Sequence, residues 1–223
     1  MTLWYKPLIL AGALLPGALM AQPLALDYGT FYGHMKTQAK GDFGRARLGF
    51  YLMDPEKGEP CLAQSARIHS DNRDRPAVVA EDGGLILPFD EQVYLDKGKV
   101  LLEMADRHGR CDLSVQVMAE LAQAEDGAVT VSDLLGAQAE MQALLDKMAG
   151  MIGKHFLPGQ AGVRLAITPA SGHAYLRKGA QQLTLPWQGG NLTIDNQQLA
   201  DFEGGTLVVA GRLVRLTPWL HKG

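Results

Sequence analysis

Two cysteines are the only thiols of this 223-residue chain, and their spacing argues against redox or metal chemistry. Cys61 and Cys111 lie far apart in the sequence and form no C-x-x-C motif. An even number of cysteines without that motif favours a structural disulfide, provided that the chain leaves the reducing cytosol. Two free, buried thiols are the alternative.

A group of carboxylates follows the string LILPF, where Asp90 and Glu91 are adjacent and Asp96 lies nearby. Paired carboxylates hydrolyse glycosidic bonds only across a cleft as wide as a sugar. Adjacent residues after a proline are therefore better interpreted as turn and surface residues, with Asp90 capping the turn. Ser171 and His173 bring a hydroxyl near an imidazole, but PASGHA has the composition of a turn and does not indicate a nucleophile.

Aromatic side chains are the third group that could support function. Trp187, Trp219 and Tyr175, together with Tyr94 and Phe89, could form a platform on which sugar rings stack. We predict a binding face at Trp187, Trp219 and Tyr175. The alternative is that these rings belong to the core, as aromatic residues of a small β module usually do.

Motifs of known chemistry are missing from the sequence. It contains no G-x-S-x-G, no H-E-x-x-H, no phosphate-binding loop and no dinucleotide fingerprint. Its 6 histidines are scattered without the spacing of metal ligands. We therefore predict no catalytic, cofactor-binding or metal-binding residue and no cofactor.

The composition is that of an ordinary folded protein, with 47% hydrophobic and 20% charged residues and a net charge of −3. Nucleic-acid binding requires clustered lysine and arginine, which an acidic chain without a basic run does not offer. The arginines between Arg67 and Arg75 alternate with aspartates, and we interpret this stretch as a solvated loop.

The amino terminus predicts export. Lys6 precedes an apolar run from Pro7 to Ala21, which is too short to span a bilayer and fits a secretory signal peptide over residues 1–21. An uncleaved membrane anchor is the alternative. After Gln22 no stretch is apolar enough to cross a bilayer, so we expect a periplasmic protein without an integral span after cleavage.

Hydrophobic periodicity predicts a mainly β, α+β fold. Residues 28–35 show a helical stripe with Asp27 as N-cap, and residues 130–156 form a longer amphipathic helix capped by Thr130 or Ser132. Its stripe runs from Leu134 to Phe156 and is expected in the core, although its three methionines could instead make an adaptable binding groove. Short alternating strands are predicted at 46–52, 62–69, 77–81, 85–87, 100–104, 111–117, 163–168, 174–178, 183–185, 192–194, 206–210 and 212–216.

This pattern predicts three parts after the signal peptide. Residues 22–122 form a helix plus a β-sandwich-like module, residues 123–158 a helical segment, and residues 159–223 a second, smaller antiparallel β module. The disulfide is expected to join two sheets of the first module. The strings LILPF and LTLPW, at 85–89 and 183–187, both suggest a strand ended by proline, either through duplication or through convergent strand ending.

Four features together resemble a known family: LGFYL at 48–52, Cys61, LPFD at 87–90 and Cys111. They are similar to a family of small exported gammaproteobacterial proteins, domain of unknown function 2987, from about Leu26 onward and including the helix that ends in KHFLPG. The resemblance implies export and a shared fold. It implies no substrate, cofactor or active-site residue.

Function is then a choice between two main hypotheses. The first is a non-enzymatic periplasmic envelope protein that binds a protein or a polymer such as a polysaccharide. The second is a periplasmic hydrolase acting on glycan or peptide, with Asp90 converging on a distant histidine. A structural module of a larger envelope complex is a third possibility, which predicts an exposed apolar patch.

Overall fold

The computed structural model describes residues 23–105 and 110–221. The expected signal peptide at 1–21 lies outside these residues. The first eight strands are β1 Leu24–Asp27, β2 Ala46–Met53, β3 Ala63–Ser70, β4 Arg73–Val79, β5 Leu85–Ile86, β6 Lys99–Met104, β7 Asp112–Ala119 and β8 Ala128–Thr130. The remaining strands are β9 Gln160–Thr168, β10 Gly172–Lys178, β11 Gln181–Trp187, β12 Asn191–Asp195, β13 Thr206–Val209 and β14 Arg212–Leu220.

Helices occupy much less of the described chain than strands. They are α1 Tyr28–Ala39, α2 Glu91–Leu95, α3 Val131–Gly153 and α4 Asn196–Asp201, and a short 3-10 helix, Lys154–Phe156, follows α3 directly. Periodicity predicted α1 and α3 but not the two short helices. The mainly β, α+β fold class with one long central helix is confirmed.

The strands form two antiparallel sheets. The larger has ten strands in the order β1-β6-β3-β4-β5-β2-β7-β14-β9-β12, and the smaller has four in the order β11-β10-β13-β8. Helix α3 contacts strands of both sheets and also packs against α1 and α4. Its buried side chains include Leu134, Met141 and Leu144, so the first half of the predicted apolar stripe does lie in the core.

The large sheet joins sequence from both ends of the chain. Strand β14 pairs with β7 where Leu216 lies opposite Ala119, and β9 and β12 extend the sheet beyond β14. Strands from the expected modules 22–122 and 159–223 therefore share one sheet. The division into three parts stays a prediction, but its boundary at residue 159 does not separate two sheets.

The end of the stripe on α3 was predicted wrongly. Met151, Ile152 and Phe156 are exposed rather than buried. Gly150 has φ 73° and ψ −176°, which interrupts the helical geometry and turns the following residues away from the line of α3. The apolar residues of the sequence therefore keep their helical spacing of three and four beyond the part of α3 that packs against the core.

The two leucine-proline strings adopt different structures. Pro88 follows β5, as a strand-ending proline should, whereas Pro186 lies inside β11 opposite His173. Because β11 is an edge strand of the small sheet, a residue without an N–H is tolerated there. The prediction that proline ends both strands is wrong for the second string.

Two smaller interpretations also change. The stretch from Arg67 to Arg75 is not a loop but the β3–β4 hairpin, in which Ser70 pairs with Arg73 and the arginines project from strands. Asp27 does occupy the N-cap position of α1, but its side chain makes no capping hydrogen bond. Its carboxylate instead forms an ion pair with Lys99 on the neighbouring strand β6.

The predicted disulfide is confirmed between Cys61 and Cys111, and the described residues contain no free cysteine. Cys61 follows the turn after β2, where its N–H donates to the carbonyl of Leu52, and Cys111 directly precedes β7. Strands β2 and β7 are neighbours in the large sheet. The bridge therefore ties two segments of one sheet, which corrects the expectation that it joins two sheets.

Candidate binding face

The three residues of the predicted binding face do not lie together. Trp187 is 2% exposed, and its indole N–H donates to the carbonyl of Pro169 at 3.1 Å. It lies opposite Gly172 in the small sheet, so Tyr175, three residues further along β10, points to the other side of that sheet. Trp219 belongs to the large sheet. Trp187 is a core residue, as the alternative interpretation held.

The carboxylates after LILPF have structural partners. Asp90 is the N-cap of α2, and its Oδ1 accepts hydrogen bonds from the N–H groups of Gln92 and Val93 at 2.9 and 3.2 Å. Its Oδ2 lies 3.6 Å from Nε of Arg75. Within the described residues no hydrogen bond joins Asp90 or Glu91 to a histidine.

Three aromatic rings form a stack beside these carboxylates. The Tyr32 ring is parallel to Phe89 within 18° at a centroid distance of 4.9 Å, and to Tyr94 within 14° at 4.5 Å. Phe89 and Tyr94 therefore both stack against the ring of Tyr32. Tyr32 is buried as a result, whereas Phe89 is 52% and Tyr94 44% exposed.

Tyr28 fixes the position of Phe89. Its hydroxyl donates to the carbonyl of Pro88 at 2.6 Å and accepts from the N–H of Asp90 at 2.9 Å, so it bridges the backbone on both sides of Phe89. Tyr28 and Tyr32 are four residues apart on α1, which places both on the face that meets this loop. One turn of α1 therefore orders the loop and supplies the central ring.

Helix α2 positions Tyr94 and Leu95. The capping bonds to Asp90 start this helix directly after Phe89, and Val93 packs inward while Leu95 remains 62% exposed. The ring of Tyr94 lies over Gly29 of α1, where an added Cβ would be 3.6 Å from the ring. We call Phe89, Tyr94 and Leu95, with Tyr32 beneath them, the ring face.

Burial changes the acidity of the two tyrosines that support the ring face. The pKa of Tyr28 is raised chiefly by desolvation, which outweighs its hydrogen bond from the Asp90 backbone. The pKa of Tyr32 is also raised, first by desolvation and then by the nearby carboxylate of Glu91, whose Oε1 accepts from the Tyr32 hydroxyl at 3.4 Å. Both hydroxyls therefore stay protonated, and Tyr28 can donate to Pro88 throughout the neutral range.

The chemistry of the ring face is that of noncovalent binding. Half-exposed aromatic rings held on a buried support offer a large apolar area at a small cost in side-chain entropy. Lys36 lies 5.6 Å from the Tyr32 centroid and adds a cation at the edge of the stack. Among residues 23–105 and 110–221 no group of three or more potential ligands could hold a metal ion.

Part of this face can be predicted from the sequence. Phe89 and Tyr94 are candidate platform residues, although the same prediction includes tryptophans that lie elsewhere in the fold. Tyr32 falls on the predicted apolar stripe of a helix, and its stacking role is not predicted. The signal was present in the spacing of Tyr28 and Tyr32, but only the fold shows that α1 meets the loop at residues 87–90.

A depression lies between α3 and α4, with a volume of about 410 Å³. Gln138 donates to the side chain of Asn196 at 2.6 Å, and Asn196 donates to the backbone carbonyl of Gln160 at 2.7 Å. The buried side-chain amide of Gln160 has no hydrogen-bond partner. These bonds hold α4 against α3 and the start of β9. We interpret this depression as a contact between elements rather than a binding site.

Comparison with known proteins identifies a family but no annotated relative. The family model described as protein of unknown function (DUF2987) matches residues 20–167. Neither the curated proteins nor the solved structures include a significant match. The helices in the described part of the chain are all too short or too polar to cross a membrane.

Proposed function

The chain belongs to the DUF2987 family, and we propose that this member is a non-enzymatic envelope protein that binds a protein partner through the ring face. The observation that carries the proposal is the stack itself. Two aromatic side chains and a leucine are about half exposed or more, and the buried Tyr32 and the Tyr28 hydroxyl hold them in place. Rigid, exposed aromatic side chains are the usual anchors of protein interfaces.

The chemistry around the rings favours a protein over a polysaccharide. Sugar-binding surfaces pair each ring with side chains that donate to or accept from hydroxyl groups. Here Leu95 of α2 is apolar and 62% exposed. The polar groups at the stack are Lys36 and Glu91, and the Tyr32 hydroxyl already donates to the Glu91 carboxylate at 3.4 Å. An apolar side chain of a partner would remove both ring and leucine from water, and this burial is the main source of affinity.

The geometry gives no support to the hydrolase hypothesis. A catalytic acid must have a carboxyl oxygen free to meet a substrate. Both oxygens of Asp90 are occupied, one in capping α2 and the other near Arg75. Asp96 is the C-cap of α2, and its Oδ1 accepts from the side-chain amide of Gln92 at 3.0 Å. Its Oδ2 has no hydrogen-bond partner and lies 4.0 Å from Nε of Arg73, but this oxygen is buried and therefore not accessible to a substrate.

The location that we propose is the periplasm. The apolar segment before residue 22 has the features of a secretory signal, and the Cys61–Cys111 bridge supports an oxidising compartment. The mature protein isolated from its host should lack residues 1–21 by mass, and neither thiol should react with an alkylating reagent before reduction. An intact Met1 together with two reactive thiols would contradict export.

Site-specific photocrosslinking in intact cells tests the binding proposal. A photoreactive amino acid at position 89 or 95 should capture one discrete protein, because these side chains project from the ring face. The same probe at Leu62 is the matched control, since Leu62 is 49% exposed but lies beside Ala105, at the far end of β6 from the ring face.

The nature of the captured material decides between partners. The proposal is supported if the crosslinked product forms from positions 89 and 95 but not from position 62, and if protease digests it. An excess of the unlabelled protein should reduce the yield of this product, whereas an excess of the Phe89→Ser/Leu95→Ser variant should not. A product digested only by glycan hydrolases would replace the protein partner with a polysaccharide. Equal yield at all three positions, or none at any, would reject the ring face as a binding site.

A further inference from the structure

The carboxyl-terminal end of α3 carries the most exposed large apolar side chains of the described chain. Met151 is 85%, Ile152 78% and Phe156 82% exposed. Isolated apolar residues on a surface are common, but three within six residues at this exposure are not explained by folding. We call residues 147–158 the apolar tip.

Local backbone geometry projects the apolar tip away from the core. Gly150 has a φ of 73°, which side-chain-bearing residues rarely adopt, and the direction of its missing Cβ meets no atom within 4 Å. The helical geometry of α3 is interrupted there, and a short turn of 3-10 helix, Lys154–Phe156, follows. The apolar residues are therefore presented on a protruding turn and not on a face of the packed helix.

The apolar tip is also a cationic part of an acidic protein. Lys147 and Lys154 lie within it, and no aspartate or glutamate occurs from residue 147 to residue 194. In the described part of the chain neither lysine has a carboxylate within ion-pair distance. The amine of Lys147 donates to the carbonyl of Lys40 at 2.9 Å, which orders the side chain but leaves its charge uncompensated.

We propose that the apolar tip docks on an anionic phospholipid surface, with Met151, Ile152 and Phe156 inserted at the headgroup level and the lysines facing the lipid phosphates. Apolar side chains on one short turn, flanked by lysine, are the elements of interfacial membrane binding. Each lysine near an anionic bilayer strengthens that binding. The carboxylate next to the apolar tip in the sequence, Asp146, lies before it and accepts a hydrogen bond from Gln142.

The area of the apolar tip argues against a second copy of the chain as the occupant. Three side chains of this size expose together roughly 400–500 Å². A stable protein interface needs about 800 Å² from each partner, so a dimer would have to bury surface beyond the apolar tip, just as the partner proposed for the ring face must contact more than its three exposed side chains. Two cationic tips brought together would also repel each other. A lipid surface requires neither a large flat face nor a matching shape.

Vesicle flotation with the mature, disulfide-bonded protein tests this proposal. The protein should float with vesicles of phosphatidylethanolamine and phosphatidylglycerol mixed three to one, and only weakly with phosphatidylcholine vesicles. The variant Ile152→Ser/Phe156→Ser should bind the anionic vesicles about a hundredfold more weakly, about tenfold for each side chain. Lys154→Glu should lose at least about fivefold on anionic vesicles and nothing on neutral ones.

The control is Leu95→Ser, which removes an exposed apolar side chain from the ring face and leaves the apolar tip intact. It should float like the original protein, although it is expected to lose the crosslinked partner, so the two proposals can fail separately. No flotation of the original protein, or equal flotation of Ile152→Ser/Phe156→Ser, would overturn the lipid proposal. So would a concentration-dependent dimer that the double substitution abolishes, because it would assign the apolar tip to a second copy.

Discussion

Single side chains at the ring face perform distinct tasks, and Tyr28 and Tyr32 show the difference. Both are buried tyrosines on the same face of α1, yet only the hydroxyl of Tyr28 has two short backbone hydrogen bonds. The hydroxyl of Tyr32 has one long contact with Glu91, at 3.4 Å, while its ring supports two others. For Tyr28 the oxygen is the important group, and for Tyr32 it is the ring.

This contrast gives the first prediction. Tyr28→Phe should lower the free energy of unfolding by about 1–2 kcal/mol, because the carbonyl of Pro88 and the N–H of Asp90 lose their partner. Tyr32→Phe keeps the stack and should cost less than about 0.5 kcal/mol. Urea unfolding of the disulfide-bonded proteins measures both. Equal losses for the two substitutions would show that the bridge across Phe89 contributes nothing specific.

Two other carboxylates predict how stability responds to acid. Hydrogen bonds from Thr130 and then Arg45 lower the pKa of Asp133. Desolvation raises the pKa of Glu140, but the backbone N–H groups of Arg45 and Ala46 and the guanidinium of Arg45 together outweigh it, and the net pKa is lowered. These groups hold the start of β2 against α3.

A carboxyl group whose pKa is lower in the folded state stabilises that state at pH values above its unfolded pKa, about 3.9 for aspartate and 4.3 for glutamate. The stabilisation is lost as the pH falls through the lower, folded value. Unfolding free energy should therefore decrease between about pH 5 and pH 3, and Glu140→Gln should make this decrease shallower. Glu203→Gln is the control, because Glu203 is exposed and has no ion pair in the described residues. An unchanged acid dependence in Glu140→Gln would refute the assignment.

At the scale of elements, the sequence predicts those helices and strands whose formation depends on neighbouring residues. The strand β2 and the start of α3 follow from alternation and from a threonine cap, and the Thr130 side chain does accept from the N–H of Asp133 at 3.0 Å. Strands β1 and β8 were missed because each has four residues or fewer and depends on pairing with a distant strand. The apolar spacing also predicts buried residues beyond Gly150, which is wrong. The spacing of apolar residues along a helix does not show where the elements that pack against the helix end.

The ring face shows the same limit. Phe89 and Tyr94 could be selected from the sequence as aromatic residues near a turn. Their stacking on Tyr32 could not, because nothing local brings α1 to a loop about 60 residues later. The two tryptophans were predicted to form a binding face from their residue type alone. Trp187 is instead buried in the core, because its partner across the sheet is Gly172, which has no side chain and leaves room for the indole.

Helix α2 provides the prediction at this scale. Asp90→Ala removes the acceptor of two N–H groups and should cost about 0.5–2 kcal/mol. Asp90→Asn keeps an oxygen acceptor at the same position and should cost much less. Crosslinking from position 95 should fall only in the alanine variant, because that variant alone frees α2 and displaces Leu95. If the asparagine variant loses function while its unfolding free energy is unchanged, the carboxyl group has a chemical role and the hydrolase hypothesis returns.

At the scale of the whole molecule, the two proposed binding features lie on different elements. The ring face is built from α1, the loop after β5 and α2, and the apolar tip follows the kink at Gly150 in α3. Helices α1 and α3 pack against each other. A protein that rests on lipid through one element and holds a partner through another is suited to an envelope, where partners are concentrated near a surface.

The arrangement of the large sheet gives the last prediction, which concerns the expected modules. Strand β7 lies between β2 and β14, and α3 is covered in part by β9 and β14, whose Leu165 and Leu216 are fully buried. A fragment of residues 22–158 would lose both strands and expose an edge of the sheet and one side of α3 together.

Because the core is shared, we expect this fragment to lack a cooperative urea transition and to bind a hydrophobic dye. Co-expression with residues 159–223 should restore the transition, since the second piece supplies the missing strands. A fragment 22–158 that unfolds cooperatively by itself would instead establish residues 159–223 as a separate module, and β14 would then be an addition to a sheet that is already stable.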